Sequence, residues 1–241
     1  MTGFLASVSS VEEATLALSG GADIIDLKNP RSGALGALAH DLIRQTVATV
    51  ASRVPTSATI GDLEPSPALV AEAVRNMKTT GVDFIKIGFF ADCNQAHRLI
   101  DGLALEAQSH RLVAVLFADS AYDLTLLPKL AEAGFHGVML DTATKNGAGL
   151  CHSLPTAELM RFVETAAQHR LLSGLAGQLT LADIPTLLPL RPDYLGFRSA
   201  LCRSGDRGQQ IDELAIKRVR SAICRVNRSV NTDSIKPAVQ N

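Results

Sequence analysis

Three stretches of similar design decide the fold: SGGADIIDLK (19–28), TTGVDFIKIG (79–88) and EAGFHGVMLD (132–141). In each of them a glycine can end a helix through the left-handed conformation, and a short apolar run follows. The runs IIDL, FIKI and VML are nearly continuous in hydrophobic residues, which is typical of strands that are covered on both faces. The pattern therefore predicts a parallel sheet.

The same alternation of helix and strand extends along the whole chain. Strands are predicted at 4–8, 24–28, 56–60, 84–89, 112–117, 137–141, 171–175 and 194–198. Helices are predicted between and after them at 11–18, 41–52, 67–78, 95–108, 124–133, 156–169, 181–188 and 209–225. Eight strands that alternate with eight helices predict an α/β fold, a (β/α)8 TIM barrel, with a doubly wound open sheet as the alternative. We expect one domain over residues 1–226 and a polar, disordered tail over 227–241.

Composition describes an ordinary soluble protein and excludes several classes. The 241 residues are 46% hydrophobic and 20% charged, with a formal net charge of -1. Such a balance gives no general attraction to nucleic acid or to an anionic membrane. Because the chain shows neither a signal-peptide pattern nor an apolar run of the ~20 residues that span a bilayer, we expect a cytoplasmic protein. The four cysteines and six histidines form neither C-x-x-C nor H-E-x-x-H, so we predict no metal site.

Charged residues lie where the predicted strands end, which is where barrels of this kind carry their catalytic groups. Side chains alternate along a strand, so Asp26 and Lys28 point into the barrel while their neighbours face the helices. The same alternation turns Lys86 and Asp141 inward, and Lys145 follows in the next loop. Crowded, partly desolvated lysines have lowered pKa values, which suits an amine that forms a Schiff base with a carbonyl. Interior salt bridges without a catalytic role are the alternative.

A second signal follows the last two strands, where SGLAG (173–177) and LGFRSALC (195–202) are rich in glycine and small polar residues. Loops at these two positions commonly bind phosphate in this fold through backbone N–H groups. The predicted phosphate ligands are Ser173, Gly174, Gly177, Gly196, Arg198 and Ser199, with Arg198 offering a bidentate contact. Tight packing and turn formation by these glycines is the alternative.

Two further features lie at the predicted barrel mouth. The loop within DLKNPRSGALGA (26–37) is long for a connection from strand to helix, so we expect it to cover the substrate. Asp62 ends the segment SATIGD (57–62), and by itself it is no more informative than a solvated acid.

Several of these motifs together resemble one known family. GADIIDLKNPRSGALGA, SATIGD, FIKIG, MLDTATKNG, SGLAG and GFRSALCRSGDR are similar, in order and spacing, to the (5-formylfuran-3-yl)methyl phosphate synthases of methanofuran biosynthesis. The resemblance implies a (β/α)8 barrel that joins two molecules of glyceraldehyde 3-phosphate into a furan aldehyde, releasing one phosphate and two waters. No redox cofactor is implied, because this atom balance involves no net oxidation.

The resemblance also assigns roles to individual residues. It implies that Lys28 forms the Schiff base, that Lys86 accepts a proton, and that Asp26, Asp141 and Lys145 complete the active site. The residues alone do not choose between Lys28 and Lys86 as the nucleophile. Two other functions stay open, namely another Schiff-base aldolase that acts on phosphorylated aldehydes and a non-catalytic phosphosugar-binding barrel. The number of subunits also stays open, a homo-oligomer included.

Overall fold

The computed structural model shows a closed barrel of eight parallel strands in sequence order. It describes residues 1–90, 92–120, 122–144 and 149–233, without the side chains of Cys93 and residues 228–233. The strands are β1 (Gly3–Val8), β2 (Ile24–Leu27), β3 (Thr56–Thr59), β4 (Phe84–Gly88), β5 (Arg111–Phe117), β6 (Gly137–Asp141), β7 (Leu172–Leu175) and β8 (Tyr194–Phe197). Pairing of β8 with β1 closes the sheet, which confirms the predicted (β/α)8 barrel and excludes the open sheet.

Helices surround the barrel in the predicted alternation. They are α1 (Val11–Ser19), α2 (His40–Val50), α3 (Pro67–Lys78), α4 (Cys93–Gly102), α5 (Ala104–Ser109), α6 (Leu126–Glu132), α7 (Leu150–Ser153), α8 (Thr156–Gln168), α9 (Ile184–Leu187) and α10 (Glu213–Asp233). Within the described residues, no helix is both long enough and apolar enough to cross a membrane.

Three helices differ from the sequence prediction. The predicted helix at 95–108 is divided at Leu103, where the backbone leaves the helical conformation between α4 and α5. The Leu103 side chain is fully buried. The helix after β7 is shorter than predicted, because regular α-helix begins next to Pro185, which suits the first helical turn. The last helix continues to Asp233, so the predicted disorder does not begin at Asn227, whose side chain donates to the Thr2 carbonyl. The remainder of the predicted tail, 234–241, lies outside the described residues.

Two apolar layers hold the barrel together. The larger one fills the space between the sheet and the helices, with side chains such as Ile25, Leu27, Ile85 and Leu140. The smaller one fills the barrel interior and contains Leu5, Ala34, Leu35, Val113, Val115, Phe117, Met139, Ala176 and Tyr194. Since strand residues alternate between these layers, the charged residues next to Ile25, Leu27 and Ile85 must face the interior.

Candidate active site

Asp26 lies at the centre of the site, on β2 between two hydroxyl-bearing strands. The parallel register places Ser7 of β1 and Ser57 of β3 beside it at the same level of the barrel. Ser7 Oγ donates to Asp26 Oδ2 at 2.8 Å, and Ser57 Oγ donates to Oδ1 at 2.6 Å. These two bonds fix the carboxylate orientation, and sequence reasoning assigned no role to either serine.

Lys86 on β4 forms the most deeply buried ion pair of the site. Its Nζ lies 2.8 Å from Asp26 Oδ1, and the side chains of Lys86 and Asp26 are 2% and 0% exposed. Desolvation by burial lowers the pKa of Lys86, the Asp26 charge raises it, and the Lys28 charge lowers it again, so the pKa ends below its ordinary value. The site therefore favours the neutral amine of Lys86 more than water does.

The positive charges of the two lysines also lower the pKa of Asp26. Desolvation raises the pKa of Asp26, but the positive charges of Lys86 and Lys28 and the hydrogen bonds from Lys86 and Ser57 outweigh it, so the pKa is lowered. Asp26 is therefore an ionised carboxylate at neutral pH, suited to orient an amine rather than to donate a proton.

Lys28 follows directly after β2 and lies closer to the barrel mouth. Its Nζ is 3.6 Å from Oδ2 of Asp141, at the end of β6. Asp141 Oδ1 also accepts a hydrogen bond from the backbone N–H of Thr142 at 2.7 Å. Both Lys28 and Asp141 line a cavity at the mouth, whereas Lys86 does not border this cavity. An incoming carbonyl compound would therefore meet Lys28 before Lys86.

The mouth cavity extends from these two residues to the loops after β7 and β8. Its lining comprises Ser7, Lys28, Met139, Asp141, Ala176, Gly177, Gln178, Gly196, Phe197, Arg198, Ser199 and Arg207. Four predicted phosphate ligands, Gly177, Gly196, Arg198 and Ser199, are thus at the cavity wall. Gly177 has φ +106°, and an added Cβ would lie 2.9 Å from Thr142 Cγ2, so the backbone passes here only without a side chain.

Two predicted phosphate ligands, Ser173 and Gly174, do not line this cavity. Ser173 is near the start of β7, where its Oγ donates to Asp193 Oδ2 at 3.0 Å on the approach to β8. The adjacent Gly174 faces the barrel floor, where an added Cβ would meet the ring of Tyr194 at 2.3 Å. Both residues precede the carboxyl end of the strand, and a strand rises about 3.3 Å per residue, so neither reaches the mouth.

Arg198, the predicted bidentate phosphate ligand, has its guanidinium hydrogen-bonded inside the protein. Nη1 donates to Glu13 Oε2 at 2.6 Å and to the Ser7 carbonyl at 3.2 Å. Nη2 donates to Glu13 Oε1 at 3.2 Å and to the Gln209 carbonyl at 2.8 Å, while Nε donates to the Arg207 carbonyl at 2.9 Å. Five donor positions are therefore satisfied, and Arg198 shapes the loop after β8.

Glu13 is the acidic partner that sequence reasoning missed, since it looks like a first-turn acid of α1. It is 4% exposed, and it also accepts hydrogen bonds from the N–H of Ser9 and the N–H of Ile211. Desolvation raises the pKa of Glu13, but Arg198 and the hydrogen bonds from Ser9 outweigh it, so the pKa is lowered. The Glu13 carboxylate therefore stays ionised. Its long-range contacts could not be found from sequence spacing.

The loop after β2 is fixed to the mouth by Asp62, which proves more than a solvated acid. Its carboxylate accepts the N–H groups of Ala34 at 2.7 Å and Leu35 at 2.8 Å. Leu35 is 1% exposed within the interior apolar layer. The loop thus closes part of the barrel mouth, in the position expected for a substrate cover. Lys145, the remaining predicted catalytic residue, lies outside the described residues.

Two buried Lys–Asp pairs lie at the carboxyl ends of barrel strands, next to a glycine-lined cavity. This is where enzymes with a (β/α)8 barrel carry their active sites, and it defines the class as a (β/α)8-barrel enzyme. Residues 4–231 match the family model described as 4-HFC-P synthase. The chain belongs to this family of (5-formylfuran-3-yl)methyl phosphate synthases.

Individual relatives agree with the family model. A provisionally named (5-formylfuran-3-yl)methyl phosphate synthase of Methylorubrum extorquens is 44% identical over 208 residues, covering 86% of each chain. The synthase of that name from Methanosarcina mazei is 35% identical, covering 89% of this chain and 96% of the relative. The Methanocaldococcus jannaschii synthase is 34% identical, covering 92% of this chain and 99% of the relative.

Solved structures support the fold alone. Phosphoribosyl anthranilate isomerase from Thermus thermophilus superimposes with a TM-score of 0.67 at 14% identity, over 94% of this chain and 100% of the other. 3-Hexulose-6-phosphate synthase from Salmonella typhimurium superimposes with a TM-score of 0.65 at 14% identity, over 93% of this chain and 100% of the other. Both have far lower identity than the family relatives, so neither assigns chemistry to this site.

Proposed function

We propose that this protein is a lyase that condenses two molecules of glyceraldehyde 3-phosphate into (5-formylfuran-3-yl)methyl phosphate, for methanofuran-type cofactor biosynthesis. The observation that carries the proposal is the position of Lys28, which lines the mouth cavity together with the glycine-rich loops after β7 and β8. Two triose phosphates less one phosphoric acid and two waters give the product without net oxidation. The reaction therefore requires no redox cofactor. We also propose that the protein acts in the cytoplasm.

Lys28 is the proposed nucleophile. Its amine attacks the triose carbonyl, water leaves, and the resulting iminium withdraws electrons from the neighbouring carbon. Asp141, 3.6 Å away, is placed to receive a proton from the attacking amine and to return one during dehydration. The backbone at Gly177 and Gly196, with Ser199, holds the phosphate of the bound triose.

Lys86 is the proposed base that removes the proton next to the iminium. Its lowered pKa leaves more neutral amine near pH 7 than an exposed lysine has. Asp26 holds this amine at 2.8 Å and is itself oriented by Ser7 and Ser57, which keeps the amine in place between turnovers. Lys145 is proposed as an additional acid or phosphate ligand on the evidence of the family resemblance alone.

Borohydride trapping tests the proposal, because borohydride converts an imine into a stable secondary amine. With glyceraldehyde 3-phosphate, the wild-type peptide containing Lys28 should gain a covalent mass, and furan product should form without borohydride. Lys28→Arg should lose both signals, since a guanidinium stays protonated. Lys217→Arg is the matched control, because Lys217 lies exposed on α10 and pairs with Glu213.

Each of the other possible outcomes would indicate a different nucleophile or a different function. A label on Lys86 alone would move the nucleophile deeper into the barrel. An imine with a different product would indicate another Schiff-base aldolase. Binding of the triose phosphate without any trapped imine would indicate a non-catalytic phosphosugar-binding barrel.

A further inference from the structure

Arg207 is a cation of the mouth cavity that no role described above uses. It lies in the loop between β8 and α10, is partly buried, and lines the cavity together with Lys28, Asp141 and Ser199. Its Nη2 donates to the Gly33 carbonyl in the loop after β2, at a long 3.3 Å. One weak contact leaves most donors of this guanidinium for a ligand.

The backbone of this loop is held by several hydrogen bonds, whereas the Arg207 side chain contributes the hydrogen bond to Gly33. Arg198 donates to the carbonyls of Arg207 at 2.9 Å and Gln209 at 2.8 Å. The Ile211 N–H donates to Glu13, the buried partner of Arg198. A buried ion pair thus fixes the point from which the Arg207 side chain reaches the cavity, so that a ligand there meets a preorganised cation.

The charges around the cavity are unevenly balanced. Lys28 has Asp141 as its partner, and Arg198 has Glu13. Within the described ranges, the guanidinium of Arg207 forms no ion pair with a carboxylate. Asp141 and Asp62 act on Arg207 only through their charge, from beyond ion-pair distance. The planar donors of this guanidinium match the oxygens of a phosphate monoester, so it provides a site for an anion.

We infer that Arg207 is the cationic ligand of a second substrate phosphate, separate from the phosphate held by the backbone at Gly177 and Gly196. The inference rests on the proposed function, in which two phosphorylated trioses occupy one mouth. Two dianions close together repel each other, and one glycine-lined wall offers N–H groups for one of them. Arg207 would neutralise the other one.

Phosphate binding in the absence of any aldehyde tests the site directly. In a calorimetric titration with inorganic phosphate, wild type should bind two ions per chain and Arg207→Met should bind one. Arg203→Met is the matched control, because Arg203 lies exposed in the same loop and is absent from the cavity lining. It removes the same charge and should retain both sites. One phosphate per wild-type chain, or two in Arg207→Met, would overturn the inference.

Kinetics provide the second measurement. In Arg207→Met, the glyceraldehyde 3-phosphate concentration that half-saturates furan formation should rise about 10- to 100-fold, as expected for a lost charge-assisted hydrogen bond. The glyceraldehyde 3-phosphate concentration that half-saturates borohydride trapping at Lys28 should change less than about twofold, because the first triose uses the backbone site. Equal shifts in both would overturn the assignment to a second phosphate. If wild type forms no furan, the proposed function fails, while the calorimetric titration still decides the role of Arg207.

Discussion

Replacing Lys86 by methionine should destabilise the protein strongly at neutral pH and much less in acid. The substitution shortens the side chain by one atom and leaves the Asp26 carboxylate, which is 0% exposed, without the ammonium 2.8 Å away. Breaking a buried ion pair on one side typically costs about 3–5 kcal/mol. Because Ser7 and Ser57 continue to donate to Asp26, we expect a value near the lower end, about 3 kcal/mol in the free energy of unfolding.

The pH dependence follows from the carboxylate. In wild type the pKa of Asp26 is lower in the folded state than in the unfolded state. The ionised carboxylate therefore stabilises the fold at pH values above the unfolded pKa, and this stabilisation is lost as the pH falls through the folded pKa. Without Lys86, desolvation dominates and raises the folded pKa of Asp26. The destabilisation of Lys86→Met should then be largest above that pKa and should shrink as the pH falls from about 8 to about 5.

Urea unfolding followed by circular dichroism measures this effect, provided that the m-value is unchanged. The control is the double variant Asp26→Asn with Lys86→Met, which removes the buried charge altogether. It should be more stable than the sum of the single variants predicts, by about 2 kcal/mol. Additivity to within about 0.5 kcal/mol, together with a pH-independent loss in Lys86→Met, would refute the reasoning.

Two other buried anchors yield further predictions. Glu13→Gln should lower the free energy of unfolding by about 3–5 kcal/mol, because the guanidinium of Arg198 stays buried without a charged partner; a loss below about 1 kcal/mol in urea unfolding would contradict this. Asp62→Ala should release two backbone N–H groups of the loop after β2, costing about 1–3 kcal/mol for each. Trypsin should consequently cut after Arg31 faster in this variant than in wild type, and equal cleavage rates would show that Asp62 does not hold the loop.

The sequence predicted the barrel well because the signals for it are local. Glycine at helix ends and short apolar runs repeat along the chain, and a closed parallel sheet is the arrangement that covers eight such strands. The inward direction of Asp26, Lys28, Lys86 and Asp141 could be derived too, because side chains alternate along a strand whichever strands lie beside it.

The same reasoning could not predict how deep a residue lies or which partner it meets. Ser173 and Gly174 belong to a glycine-rich motif, yet they lie below the mouth because β7 extends to Leu175 before the motif ends. The ion pair between Arg198 and Glu13 could not be predicted, because the two residues are 185 positions apart in the chain. Neither the depth of a strand residue nor a contact at that separation is encoded in local spacing.

The sequence by itself determined the (β/α)8 plan and which charged side chains face the interior, since both follow from periodicities of the backbone. Tertiary structure alone decided that Lys86 pairs with Asp26, that Lys28 pairs with Asp141, and that Arg198 pairs with Glu13. The physical reason is the stagger of strands around the closed barrel, which sets the height at which each side chain meets those from other strands. Burial then acts on the groups brought together, and the pKa of Lys86 falls because of where its amine lies.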